Sequence, residues 1–596
     1  MLKYYLEMEL DEHGKPKPIE QCTAYPYFNG GIIRTTASTK VLQPLAITQH
    51  PLYESYYRHY QHRYPVISLD FKDTFRKSLD ETIDDIRNSL ANEIFPAHNY
   101  VRPLLSREDG KNFDKYVAGD IDKADVIHSI RYLSKLLSQH FHQPCYILID
   151  EYDAPITDAF RTLDTSEIAP IINFFRRFYG NTLKSNPHMQ QGFLTGILRI
   201  TQDTVLSSIN NVQEYNMTHS QYAAHYGFTE AEVNQLLTKC NIPANLFDTI
   251  KKYYNGYTIG SYKIYNPWSM VIMIKEYRSI QSMDIPSTHI LKNYWCESGY
   301  MNWASVLRKR NELVPIFQNL VFGHSIKFTF KEKLTLEEFY VLKTVIEGEG
   351  NIDSQQPFEA IYFSYLFSLG YLTPTMDGKF TLPNEEIKNY FRAKMKEYYT
   401  SRYRAELVYF QSVADALIKL SESNQDTQKI SEENFVKLFH HLLHRFASFD
   451  KGKGKSGKKS ESITPTITME DPQPMINGNE QIVHSILKTA LMYIDDLETF
   501  AADKYVDKDR RPDIVVIRNK QTKKAIIIEL TFNKTATLAL QDILARNYAA
   551  EIVNDYPTFI IGIHVSMNKK VAVQYKNLPK GTKLANDGSR TSNNNM

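Results

Sequence analysis

The sequence predicts an α/β chain with a mainly helical middle region. Three observations carry this. Apolar strand-like runs alternate with helix-periodic stretches before residue 200. Helical patterning dominates from about 229 to 449. A second compact α/β segment then spans about 473–577. At 596 residues the chain is too long for one hydrophobic core, so several domains are expected.

The runs PVISLDF at 65–71, CYILI at 145–149 and FLTGIL at 193–198 read as strands. Between the first two, Ile127, Ile130, Leu133 and Leu137 recur at spacings of three and four, which predicts a helix over 126–140. Apolar strands separated by helices indicate a parallel sheet covered on both faces. Thr229, followed by Glu230 and Glu232, opens a helix as an N-cap. Asn255-Gly256 and Asp377-Gly378 read as turns. The resulting boundaries are 1–228 for the first α/β domain and 229–400 for the helical region. A helical connector and a Lys/Gly/Ser linker fill 401–465, a second α/β domain 466–580, and a polar tail 581–596. The linker KGKGKSGKKSESI at 451–463 has the low hydrophobicity and like charge of a disordered tether.

Apolar residues make up 42% and charged residues 23% of the chain, ordinary for a soluble protein. The 40 tyrosines are scattered, without a repeat. A net charge of +2 gives no global field for a polyanion. Cys22, Cys145, Cys240 and Cys296 lie far apart without a CxxC pair. That argues against a disulfide framework or thiolate zinc site and fits a reducing, cytoplasmic setting. No apolar run approaches the roughly 18 residues that span a bilayer, so no membrane partner is expected.

The carboxyl-terminal segment carries the densest chemistry. RPDIVVI at 511–517 and KAIIIELT at 524–531 read as strands joined by a polar loop at 519–523. Closure about residue 521 sets Asp513 opposite Glu529, on one face of the sheet. Two such carboxylates repel and are costly to desolvate, and a shared Mg2+ or Mn2+ relieves both penalties. The plain alternative is an exposed hairpin with two ordinary acids, and spacing alone weighs the two equally. A helix over 537–548 follows, with Gln541 and Tyr548 on one face. Another over 481–493 brings Glu480 and His484 towards the sheet.

This order of helix with Glu, then PD, then an acid before a lysine position, then helix with Gln, resembles the PD-(D/E)XK nuclease superfamily. Within it, the segment looks like the nuclease domain fused to AAA-ATPase-like proteins of bacteria. The resemblance implies catalytic roles for Asp513, Glu529, Gln541 and Glu480, metal binding by Asp513 and Glu529, and DNA or RNA as partner. One departure is that the lysine two residues after the second acid is Thr531 here. Lys534 is a candidate replacement, although strand alternation does not put it on the Glu529 face. A non-catalytic protein that binds nucleic acid or protein stays open beside the nuclease.

YILIDEYD at 146–153 has the form of a Walker B strand, four apolar residues ending in acids. IDEYDAPI, LTGILRI, YYNGY, IYNPWS, LFSLGYLT and LPNEE also occur in the order of the AAA-ATPase-like family. That resemblance covers roughly residues 1–400 and implies a P-loop-NTPase-like sheet. It makes Asp150 and Glu151 Walker B acids, with Thr195 or Arg199 near a γ-phosphate. No G-x-x-x-x-G-K-[ST] occurs: the Gly-Lys-Ser at 454–456 has Phe449 where the first Gly belongs. By the resemblance the chain starts just past the phosphate cradle. Slight ATP affinity and no turnover are therefore expected of the chain as it stands.

Two weaker patterns remain. His440 and His444 stand four apart on a helix, mostly as ordinary helix residues and less readily as a metal pair. HPLYESYYRHYQHR at 50–63 interleaves aromatic and basic groups, as a helix over the sheet or a platform for bases.

Overall fold

The apolar runs of the first 200 residues form one parallel sheet in a computed structural model of the chain. The structure describes residues 1–34, 39–72, 74–197, 209, 212–280, 290–296, 306–307, 310, 313–347, 358–402, 407–447, 478–494, 497–499, 513–518, 524–532, 534–545 and 547–582. These fall into two compact units. One holds 1–214 with 331–344 and 352–354, and the other 215–330 with 345–351 and 355–596. The Lys-rich linker and most of the polar tail lie outside the described residues.

In the first unit β1 (Val66–Asp70), β2 (Cys145–Asp150) and β3 (Met189–Leu194) pair in parallel, with β2 central. Helices α1 (Leu79–Ser89), α2 (Lys123–Phe141) and α3 (Thr165–Leu183) provide the crossovers. Helix α2 spans the expected region because Asp122 and Asp125 form a reciprocal capping box and Ile127, Ile130, Leu133 and Leu137 are buried. The third strand starts and ends four residues before the expected run. Its polar MQQG start pairs at the sheet edge, where Gln190 and Gln191 stay exposed, so apolar periodicity misses it. Residues 50–63 form turns and a short 3-10 segment rather than a helix.

The second unit begins with helices and small hairpins. Asn255-Gly256 is not a turn: Asn255–Ile259 is a strand paired with Tyr262–Tyr265, and the chain reverses at Gly260. Gly256 serves a different purpose. A Cβ there would meet the Pro383 carbonyl oxygen at 2.0 Å, and its φ is +125°. Only glycine admits that approach.

Three sequence motifs converge at this point. Helix α4 (Pro267–Ile280) starts at Asn266, whose Oδ1 accepts the Trp268 N–H at 2.9 Å. Helix α5 is Leu313–Val321 and helix α6 Glu385–Arg402. Ahead of α6, Asn384 accepts the Ile387 N–H at 3.1 Å and donates to the Tyr254 carbonyl at 3.2 Å. Glu386 is fully buried and accepts from Ser269 Oγ at 2.9 Å and the Trp295 N–H at 2.9 Å. YYNGY, IYNPWS and LPNEE therefore build one buried polar joint.

Helices α7 (Leu407–Glu422), α8 (Gln428–Phe446) and α9 (Gly478–Leu491) lead into a five-stranded sheet. Its strands are β4 (Leu497–Thr499), β5 (Ile514–Arg518), β6 (Lys524–Thr531), β7 (Thr558–Val565) and β8 (Val571–Leu578), in that order. All neighbours are antiparallel except β6 and β7, which are parallel. Helices α10 (Ala536–Ala545) and α11 (Asn547–Asp555) make that crossover. Here two helices replace the single one expected over 537–548. Gln541 and Tyr548 thus sit on separate helices.

Burial holds the Glu386 carboxyl up at about 7, because desolvation outweighs the hydrogen bonds from Trp295, Ser269 and Tyr294. Folding thus favours the protonated form. The group's contribution to stability is complete below about pH 4.5 and is lost as pH rises through about 7. Glu386→Gln is predicted to raise the melting temperature by a few degrees at pH 8 and to change it little at pH 5, read by differential scanning calorimetry.

Candidate functional sites at the strand ends

In the first unit the carboxyl edge of the sheet gathers acids. Asp70 and Asp150 lie side by side in register. Asp150 Oδ1 accepts the Glu151 N–H at 3.0 Å and the Thr195 hydroxyl. Glu151 sits in the left-handed region at φ +51°. Burial first, then the charges of Asp153, Asp150 and Asp70, raise its carboxyl above the usual range. Buried Asp153 accepts the Ile197 N–H at 3.2 and 3.1 Å. Gly196 lets this happen, since a Cβ there would lie 2.2 Å from Asp153 Oδ1. Asp150, Glu151 and Thr195 thus meet at one edge, while Arg199 lies outside the described residues. A carboxylate pair and a hydroxyl at a sheet edge can hold a hydrated divalent cation.

In the second unit the hairpin register is set by the pairs Ile514↔Ile528 to Arg518↔Lys524. One step further opposes Asp513 and Glu529, as closure about residue 521 requires. Strand β6 is buried along nearly its whole length, so Glu529 and Thr531 are polar groups at the end of an apolar strand. The last residues of β6 anchor their neighbours. Asp513 Oδ2 accepts the Leu530 N–H at 2.7 Å, and the Glu480 carboxylate accepts the Phe532 N–H. Each bond fixes the orientation of a carboxyl group at the end of the strand. His484, one turn past Glu480, brings Nε2 to 3.7 Å from Asp513 Oδ2. Burial pushes its imidazole down to about 3, so at neutral pH this is a contact of a neutral ring and not an ion pair. Burial, then the Asp513 charge, raises the Glu480 carboxyl, with the Lys534 charge acting the other way.

The remaining expected residues sit at the margin. Lys534 is exposed and its ammonium pairs with Asp542 at 3.0 Å. Its backbone N–H donates to Thr531 Oγ1 at 3.1 Å, so the threonine caps the turn that leaves the strand. Gln541 is exposed on α10. Sequence reasoning missed Lys488, one further turn along α9. It is buried, and its Nζ donates to Asn319 Oδ1 of α5 at 2.6 Å. The four-residue steps Glu480, His484 and Lys488 were the available signal. It also missed His564, which lies beside Thr531 in the β6–β7 register.

Asp513 and Glu529 supply only oxygen donors, from two paired strands, and that donor set fits a hard cation such as Mg2+ or Mn2+. Among the described residues, no three His, Cys, Asp or Glu side chains gather closely enough to form a protein-only metal cage. The rings of His440 and His444 lie 4.4 Å apart on α8. Also among the described residues, no helix is long and apolar enough to cross a membrane.

Comparison with known proteins assigns the first unit. Residues 28–206 match the model of the AAA-ATPase-like family, described as predicted AAA-ATPase. This part of the chain is an AAA-ATPase-like domain. An uncharacterized protein in the vnfD 5' region of Azotobacter chroococcum mcd 1 is 25% identical over 187 residues, which is 31% of this chain and 33% of that protein. The match thus spans about a third of that relative's length. The Walker-type ATPase paby2304 of Pyrococcus abyssi aligns with 55% of this chain and 84% of its own, at 12% identity and a TM-score of 0.31. So slight a likeness carries no argument. In the AAA-ATPase-like domain, Asp153→Ala removes the acceptor of the Ile197 N–H. It is predicted to destabilise the protein by about 1–3 kcal/mol, measured by chemical denaturation.

Proposed function

We propose that the chain joins its AAA-ATPase-like domain to a metal-dependent phosphodiesterase site of the PD-(D/E)XK type. Asp513 and Glu529 hold Mg2+ or Mn2+, and the substrate is DNA or RNA. The observation that carries the reading is the β5–β6 register, which opposes the two carboxylates where Glu480 is also pinned. A divalent cation there supplies charge neutralisation for a phosphate and acidifies a bound water. Glu480, with its carboxyl raised by burial and by Asp513, is the proposed group to exchange a proton beside the cation. Neutral His484 and the Leu530 N–H keep Asp513 in one orientation. Gln541 and Lys534, both exposed, offer donors to a phosphate backbone.

In the AAA-ATPase-like domain, Asp150 and Glu151 are the proposed acids for a cation-bound nucleotide. Thr195, or Arg199, is the proposed contact to its terminal phosphate. ATP turnover is not part of the proposal.

Thr531 supports a second reading, a site that binds metal and nucleic acid without cutting. Threonine carries no charge to stabilise a developing anion, and here its hydroxyl is used to cap a turn. Incubation with end-labelled DNA and RNA in Mg2+ or Mn2+, against an Asp513→Ala/Glu529→Ala control, separates the two. Cleavage lost in the control, by 100-fold or more, is the predicted result. Equal cleavage by both proteins would overturn the enzyme. Metal binding without cleavage would establish the second reading.

A further inference from the structure

The first unit holds a cavity at the edge of its sheet opposite the acids. It measures about 550 Å³ and opens beside Pro65 and Val66, where β1 begins. Asp70 closes the same strand, about 13 Å of extended chain away. The cavity is therefore separate from the edge that gathers Asp150, Glu151 and Thr195. Its volume is that of a small-molecule site.

The amino-terminal residues build one wall. Helix Leu2–Leu6 ends at Glu7, whose N–H donates to the Lys3 carbonyl at 2.8 Å. The Glu7 carbonyl in turn accepts from His62 Nδ1 at 3.2 Å. Both backbone groups are thus engaged, and the half-buried side chain lines the cavity. Among the described residues its carboxylate has no hydrogen-bond or ion-pair partner; the Lys3 charge reaches it only from a distance. Asp11 and Glu12 add two exposed carboxylates to the lining. Asp11 is held in place by the N–H groups of His13 and Lys15, both 2.9 Å from Oδ1.

The facing wall carries His98 and Tyr100. His98 is only 7% exposed, and its Nδ1 lies 2.9 Å from Tyr100 Oη. Burial pushes the imidazole down to about 4, so at neutral pH the ring adds no positive charge. Among the described residues no lysine or arginine lines the cavity. Met8, Val66 and Pro103 supply apolar surface between the polar groups.

This lining selects its occupant. A bare metal ion needs several ligands converging on one point. Among the described residues no three His, Cys, Asp or Glu side chains converge in that way. An anion meets three carboxylates and no fixed cation. An organic cation uses both halves of the lining: an N–H head satisfies the carboxylate, and an apolar stem covers the wall.

We infer that this cavity binds a small organic cation, an ammonium or guanidinium head on an apolar stem, with Glu7 as its counter-ion and the His98–Tyr100 pair as a second polar contact. The site stands independently of the metal site at the end of β6.

The test is isothermal titration calorimetry of the full-length protein with phenethylammonium and with phenethylguanidinium. The neutral 2-phenylethanol and the anionic 3-phenylpropionate serve as matched probes. Both cations are predicted to bind, and the alcohol and the carboxylate to bind at least tenfold more weakly. Comparing the two cations identifies the preferred head. Glu7→Gln keeps the side-chain volume and removes the charge, and is predicted to weaken cation binding at least tenfold while leaving the alcohol unaffected. Ala97→Phe places a ring in the cavity from an exposed position on its lining. It is predicted to abolish binding of every probe, and it decides the matter if Glu7→Gln does not fold. Failure of the wild type to bind either cation, equal affinity for the alcohol, or undiminished cation binding by folded Glu7→Gln would overturn the inference.

Discussion

The end of strand β6 is the constraint on which the carboxyl-terminal site depends. Seven consecutive residues from Ala525 to Thr531 are buried, and the strand is paired on both sides, with β5 and with β7. With the register fixed, backbone N–H groups of Leu530 and Phe532 become donors at known places. The carboxylates of Asp513 and Glu480 dock on them. The acids are thus positioned by main-chain hydrogen bonds rather than by each other, which is how like charges come to share a site. The same strand pairs in parallel with β7, setting Thr531 beside His564.

Charge accounting separates the two acid-rich strand ends. At the edge of β2, Asp70, Asp150 and Glu151 are relieved by hydrogen bonds such as those from the Thr195 hydroxyl and the Glu151 N–H. Even so, Glu151 holds its proton more tightly than a free glutamate. At the end of β6, a neutral histidine and a buried lysine lie on one helix stripe behind the acids. The lysine, Lys488, is buried and donates to Asn319 Oδ1. The polar joint around Glu386 solves the same problem differently. It is met by hydrogen bonds from Trp295, Ser269 and Tyr294, and the carboxyl moves up towards neutrality instead.

Much of this was legible in the sequence because it follows from periodicity. The apolar runs at 65–71, 145–149 and 524–531 became strands, and the Asp122 and Thr229 caps start helices where expected. The hairpin register followed from loop symmetry alone. The misreadings share a cause in tertiary context. Strand β3 begins in MQQG because it lies at an edge, where polar side chains reach water. Asn255-Gly256 looks like a turn, but its glycine is demanded by the Pro383 carbonyl, 127 residues away in sequence. Helices α10 and α11 split a continuous-looking pattern, which separates Gln541 from Tyr548. For Lys488 the four-residue steps from Glu480 and His484 give a shared helix stripe but not its burial, because Asn319, which it donates to, comes from a distant helix. The pairing of Lys534 with Asp542 was likewise beyond the reach of strand alternation.

The central claim is that the β5–β6 pairing builds a cation site from Asp513 and Glu529. The most direct measurement is an anomalous difference map from crystals of the full-length protein soaked in Mn2+. The account predicts a peak within coordinating distance of both carboxylates, lost in Asp513→Ala. A well-diffracting crystal with Mn2+ bound elsewhere, or with the two carboxylates turned away from one another, would contradict it.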